Sequence, residues 1–335
     1  MKKLIYSTLF LAALAVSSCK GEKPAGPVAT LNSIDSLLAL YPDSIPLLVF
    51  KADQLSNEYK YYDAIEYAAK AYRLDTTNLE SRHLYAKCLN NKQDRSFAEI
   101  ATAQRHFQYI LKRDPKNADV MVELASTYMA MQDNETAMEV VDNALRIDKR
   151  NRDAYVLKGT IFRTIGKMDL AKSSYETAIQ MDSKFYPAYI FLGAIYQSEN
   201  NSVAVEYYKT AYELNPVPEL LYAHAYALEQ FGKLEEAKDL YRQLAKTKDM
   251  RYSSVGNFHL GNVKQNLEKQ IDSALYFYSI AIDIDKDYVE AYHNRAMCYE
   301  AKGDYTNARF EYLKALEIDP EFKLSETAFE RIRKK

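Results

Sequence analysis

The chain has 335 residues, 48% of them apolar and 27% charged, with 29 tyrosines, nine glycines and no tryptophan. Its formal net charge is -2, which supplies no field to draw in nucleic acid or anionic lipid. Scarce glycine suits a chain made mostly of helices joined by short turns.

From the N-terminus, residues 1–18 read as a targeting segment outside the fold. Lys2 and Lys3 precede an apolar run from Leu4 to Val16, which falls short of the roughly 20 residues a helix needs to cross a bilayer. The run ends in Val16-Ser17-Ser18-Cys19. Small residues before a cysteine resemble a bacterial lipobox, and the resemblance implies that Cys19 is lipidated and becomes the new N-terminus. Each buried methylene contributes about 0.8 kcal/mol, so several acyl chains make a stable anchor. Lys20 stands where an aspartate marks enterobacterial lipoproteins for the inner membrane, so the same resemblance implies the outer membrane. Residues 19–28, which include Gly21, Pro24, Gly26 and Pro27, read as a flexible tether.

Residues 29–44 are predicted to carry one unpaired leading helix, Thr30 to Tyr41, stopped by Pro42. A unit of about 34 residues then recurs from 45 to 322. Eight copies are read at 45–78, 79–117, 118–151, 152–185, 186–217, 218–251, 254–288 and 289–322. In the last copy, a first helix carries Tyr292, Ala296 and Tyr299 on one face. Gly303-Asp304 ends that helix, and a second helix carries Ala308, Tyr312 and Ala315 before Pro320. Small residues at Ala296 and Ala308 let the two backbones approach while tyrosines fill the remaining space. The second copy has an extra stretch near Asn91 to Ser96, and the fifth lacks one residue in its inter-helix turn. Residues 323–335 are predicted to form a polar closing helix, with Ser325 and Thr327 near its start.

This pattern resembles the tetratricopeptide repeat, whose consensus places small residues at positions 8 and 20, aromatics at 4, 11 and 24, alanine at 27 and proline at 32. The copy 152–185 matches at Tyr155, Gly159, Phe162, Ala171, Tyr175 and Ala178 but has Ser183 in place of proline. The resemblance implies an all-α, right-handed superhelical solenoid of about eight helix-turn-helix repeats with a C-terminal capping helix. Such an array has no internal boundary, since each unit needs its neighbours to bury its faces.

The same resemblance implies that first helices line a concave face, with positions 2, 5, 9 and 12 meeting a partner. In the first half these positions include Asp53, His83, Lys87, Asn90, Val122, Ser126 and Arg163, a mixed polar set. In the second half they include Ile190, Tyr222, Tyr226, Phe258, Asn262, His293 and Met297, an aromatic stripe suited to a peptide or helix. The alternative is that these side chains pack on neighbouring first helices. The lysine, asparagine and arginine set with which one subclass grips a chaperone's terminal carboxylate is missing.

Other chemistry finds little footing. Asp283, Asp285 and Asp287 imitate the opening of a calcium loop, but Tyr288 and Asn294 stand where glycine and glutamate are needed. Gly256 and Gly261 have phosphate-loop spacing, followed by Asn262-Val263 in place of Lys-Ser/Thr. The five histidines form no zinc-binding spacing, and no serine sits in a nucleophile elbow. No catalytic residue, metal or cofactor is expected. Cys88 and Cys298 read as small packed residues, in the second and eighth repeats, too far apart along a solenoid for a bridge. Asp35-Ser36-Leu37, Asp43-Ser44-Ile45 and Asp272-Ser273-Ala274 resemble a bacterial O-glycosylation signal, and Asp-Ser pairs also cap helices.

The combined expectation is a non-enzymatic scaffold or adaptor lipoprotein of the bacterial envelope. It is anchored through Cys19, faces the periplasm and binds protein segments without nucleic acid. The alternative is a surface glycan-binding lipoprotein of a nutrient uptake system. Those relatives stack sugars on tryptophan and carry long insertions, and this chain has neither.

Overall fold

The computed structural model describes residues 34–334, which form eighteen α-helices and no strand. In chain order these are α1 (Ile34–Leu40), α2 (Ile45–Asn57), α3 (Tyr61–Leu74), α4 (Leu79–Asn91), α5 (Phe97–Leu111) and α6 (Ala118–Ala130). Next come α7 (Asn134–Ile147), α8 (Arg152–Thr164), α9 (Met168–Met181), α10 (Tyr186–Ser198), α11 (Val203–Leu214) and α12 (Pro218–Gln230). The last six are α13 (Leu234–Leu244), α14 (Met250–Asn266), α15 (Ile271–Ile284), α16 (Val289–Ala301), α17 (Tyr305–Ile318) and α18 (Lys323–Ile332). The targeting segment, Cys19 and the tether lie outside the described residues.

The helices pair as the repeat pattern expects, α2 with α3, and then α6 with α7 and so on to α16 with α17. The chain divides into two compact units, one up to His106 and one from Phe107. Because repeat contacts run only between neighbours, such a chain can divide without losing a shared core.

Local chemistry sets the helix ends. Asn78, Asn117 and Asn151 cap α4, α6 and α8, each accepting a hydrogen bond from a backbone N–H three residues on. Pro46, Pro187 and Pro218 occupy the first turn of α2, α10 and α12, where no donor is lost. Most first helices end on a left-handed residue, with Gly166, Gly232 and Gly303 at φ of 77°, 76° and 77°. Gln132 and Asn200 do the same work at 64° and 55°.

Most second helices end on an aspartate whose side chain accepts the N–H two residues later, as Asp148 does from Arg150 at 2.9 Å and Asp319 from Glu321 at 2.9 Å. Asp285 accepts from Asp287 in the same way at 3.0 Å, and Asp283 pairs with Lys286. The calcium-like spacing is thus a helix terminator. The phosphate-loop spacing lies wholly inside α14.

In the unit up to His106, Leu48, Val49, Ala52, Ala64, Ala68, Ala71, Leu84 and Cys88 form one core. Buried Arg82 donates to His106 Nδ1 at 2.9 Å and to the Thr76 carbonyl at 2.7 Å. Burial, with Arg82 and Arg105 nearby, pushes His106 down to about 4, so at neutral pH the ring is an uncharged acceptor.

In the unit from Phe107, each helix pair closes on small residues at positions 8 and 20, among them Ala125 with Ala137, Gly193 with Ala204, Ala225 with Ala237 and Ala296 with Ala308. These alanines are all 0–1% exposed. A Cβ on Gly159 would sit 2.7 Å from the Tyr175 ring, and one on Gly261 2.5 Å from the Tyr278 ring. Glycine is required there by close approach rather than by backbone angle. At Gly256 the added Cβ would meet backbone, 2.5 Å from Ala245 N and 2.9 Å from Tyr241 O.

One boundary and one cap differ from expectation. Helix α14 begins at Met250, ahead of the expected Ser254, because Asp249 accepts N–H bonds from Arg251 and Tyr252 and caps it early. The closing helix α18 begins at Lys323 without a side-chain cap. Ser325 is buried and faces His293 Nδ1 at 2.9 Å instead of capping.

Candidate functional site

On α10, α12, α14 and α16, the stripe residues fall at successive turns, so they share the first-helix face of this unit. Tyr226 and Met297 are the most open of them, 37% and 41% exposed. Tyr222 is half-buried and stacks on Tyr226 with ring centroids 5.9 Å apart. It also meets Tyr252 at 6.5 Å and His259 at 5.7 Å.

The other predicted residues mainly hold neighbouring repeats together. Ile190 packs half-buried against the core that contains Leu221 and Ala225. Phe258 lies between Tyr278 and Tyr288, at 5.9 Å and 4.9 Å. Asn262 Oδ1 accepts from Asn294 at 2.8 Å and lies 2.8 Å from the Tyr278 hydroxyl. His293, expected on the open face, is buried. Closing helix α18 covers it where a further first helix would stack, and Ser325 satisfies its ring. The structure brings Tyr222 and Tyr226 together, and Ile190 packs against the same core as Tyr222.

The sequence reading counted position 12 among those meeting a partner but missed Gln197, Glu229, Gln265 and Glu300 there. Each buried position-24 tyrosine needs an acceptor for its hydroxyl, and the first helix supplies one. Tyr208 donates to Gln197 Oε1 at 2.9 Å, Tyr278 lies 2.7 Å from Gln265 Oε1, and Tyr312 donates to Glu300 Oε2 at 3.1 Å. Tyr241 donates to Glu229 Oε2, and His259 Nδ1 lies 3.0 Å from that same oxygen. The His259 ring stacks flat on Tyr241, with centroids 4.4 Å apart. The available signal was the recurrence of Gln or Glu at position 12 in four successive repeats.

Burial by itself would raise the Glu229 carboxyl, but hydrogen bonds from His259 and Tyr241 hold it below its ordinary value. It is therefore an anion at neutral pH. Burial, reinforced by the Glu229 hydrogen bond, pushes the Tyr241 phenol far up, so it stays a donor. Among the described residues, no group of three or more histidine, cysteine or acidic side chains could hold a metal ion. Cys298 is buried, and that burial pushes its thiol up to about 12. Neither observation assembles a nucleophile with a base.

Three family models, each described as tetratricopeptide repeat, match this sequence over 98–159, 194–250, and 153–185 with 289–322. Together they span over half of the chain. The chain belongs to the tetratricopeptide-repeat family. No curated protein matches its sequence.

Solved structures resemble it in fold. The C-terminal part of a TPR repeat-containing protein from Cytophaga hutchinsonii is 16% identical with a TM-score of 0.60, over 75% of this chain and 98% of that one. Human IFIT1, solved as a dimer with m7Gppp-AAAA, is 15% identical with a TM-score of 0.55, over 86% and 76%. The APC/C hetero-tetramer Cut9-Hcn1 is 20% identical with a TM-score of 0.51, over 89% of this chain. The chain spans only 58% of the length of that last match. These likenesses concern the fold.

Proposed function

We propose that this tetratricopeptide-repeat protein is a scaffold or adaptor that binds a protein segment on the first-helix face of α10 to α16. It is anchored to the bacterial outer membrane through a lipidated Cys19 and acts in envelope assembly or secretion. The observation that carries the binding reading is the paired Tyr222 and Tyr226 rings, with Tyr226 37% exposed beside a partly buried carboxylate. Rigid aromatics that keep an open edge supply contact area at low entropic cost, as interface anchors do. The anchor reading rests on the Val16-Ser17-Ser18-Cys19 sequence alone.

The test is crosslinking in intact cells with an epitope-tagged full chain, followed by identification of the proteins recovered from solubilised membranes. A few envelope proteins lost on Tyr226→Ala and Met297→Ala support the reading. These two side chains are chosen because their exposure spares the core. Partners that survive both changes move the binding face elsewhere, and the absence of any specific partner overturns the scaffold. Separately, Cys19→Ala should release the protein from the membrane fraction. Retention there would overturn the lipid anchor.

A further inference from the structure

Glu229 is a carboxylate held as an anion in partly buried surroundings, its side chain 27% exposed. Such a charge ordinarily finds a cation. Its hydrogen-bond partners are the Tyr241 hydroxyl and the His259 ring, and both fall on Oε2, so neither engages Oε1. The charged residues of its own helix, α12, are Glu219 and Glu229, and α10 before it carries none. On α14, Lys264 is tied to Glu268 at 2.5 Å, and Arg251 lies over the Tyr252 ring at 5.6 Å.

The last repeat shows what this position accepts. Glu300 is the position-12 equivalent of Glu229, and it too receives a hydrogen bond from its repeat's buried tyrosine, Tyr312. There the neighbouring α18 supplies Arg331, whose guanidinium lies 2.7 Å from Glu300 Oε2. At Glu229 the neighbouring helix supplies His259 and no arginine or lysine.

Tyr222, Tyr226 and Glu229 follow at i, i+4 and i+7, so they stand on one face of α12. Two tyrosine rings beside a carboxylate match the chemistry of a guanidinium, which stacks on aromatic faces and pairs with carboxylates through its planar fork. We propose that the Tyr222–Tyr226–Glu229 corner takes an arginine side chain of the bound protein segment. This rests on the peptide-binding reading of the same face, and it makes the preferred partner a basic segment.

A phage-displayed peptide library panned on the full chain in detergent micelles tests it. Recovered peptides should share an arginine. Replacing that arginine with citrulline should raise Kd at least tenfold, and so should Glu229→Gln. The two changes together should cost no more than the larger one. Glu229→Gln keeps an oxygen for Tyr241 and His259, and its melting curve checks the fold; Tyr226→Ala is the second variant and should also weaken binding. Peptides lacking arginine, or arginine peptides indifferent to Glu229→Gln and Tyr226→Ala, would overturn the inference while leaving a peptide-binding face. Recovery of no peptide above background would overturn both the inference and the reading beneath it.

Discussion

The first three repeats and the last five fill the same interior position with different chemistry. Position 24 holds Ala68, Phe107 and Val141 in the first group, and Tyr175, Tyr208, Tyr241, Tyr278 and Tyr312 in the second; all are buried. A hydrocarbon side chain occupies the space between paired helices and requires no partner. A buried tyrosine occupies it and brings a hydroxyl that needs one, since leaving it unmet costs about 1–3 kcal/mol. In the second group the acceptor comes from the first helix, from Thr160 to Glu300. A packing choice therefore places polar and acidic side chains beside the face proposed for binding. The contrast gives Glu229 a structural reason for its place, whatever it does on the proposed binding face.

Substitutions that attack the close helix approaches should break this picture most severely. Gly256→Ala drives a methyl into the backbone of Ala245 and Tyr241, which cannot rotate away, and should cost about 3 kcal/mol. Thermal unfolding together with hydrogen exchange over α13 and α14 measures it. An unchanged protein would mean that these helices do not approach so closely.

Gly261→Ala should cost about 2 kcal/mol, because its Cβ would sit 2.5 Å from a Tyr278 ring whose hydroxyl is held near Gln265 and Asn262. The matching change Gly193→Ala meets Tyr208 at 3.1 Å, and its gain in helix propensity of about 1 kcal/mol should offset the contact. Equal effects at both sites would contradict the difference in ring position.

The unit up to His106 should reveal itself by pH. The folded His106 titrates at about 4 against an ordinary 6.5, so below 6.5 the unfolded chain takes up a proton that the folded one refuses. Its contribution to stability is full above 6.5 and declines as pH falls from 6.5 towards about 4. The urea midpoint of the full chain should fall over that window, and His106→Asn should flatten the fall. A wild-type profile no steeper than the variant's would remove His106 as the cause.

The smallest effect is expected from Tyr241→Phe, about 1 kcal/mol for one lost hydrogen bond. It should also let the Glu229 carboxyl titrate at a higher pH, read from its side-chain carbon shift by NMR. An unmoved Glu229 would show that Tyr241 does not hold it.

Much of this architecture can be read in the chain because its repeats are local. Alanine at 225, 237, 296 and 308, glycine at 303 and aspartate at 148 and 319 each act through neighbours a helix or a turn away, so spacing alone reports their roles. The candidate face was legible at Tyr222 and Tyr226 for the same reason. His293 was not, since its burial depends on α18, which packs over it from beyond the last repeat. Nor was Glu229, whose environment is assembled from α12, α13 and α14 together.

The sequence by itself determined an all-helical tetratricopeptide array, its turns and its small-residue seams, because those follow from contacts between adjacent segments. Only the tertiary structure decided which stripe residues remain open, which glycines stand against rings or backbone, and which carboxylate is left with a tyrosine and a histidine in place of an arginine or lysine. Those outcomes depend on distances between groups roughly 10 to 30 positions apart. No periodicity encodes such distances, because each is the residue of how neighbouring helices settle against one another.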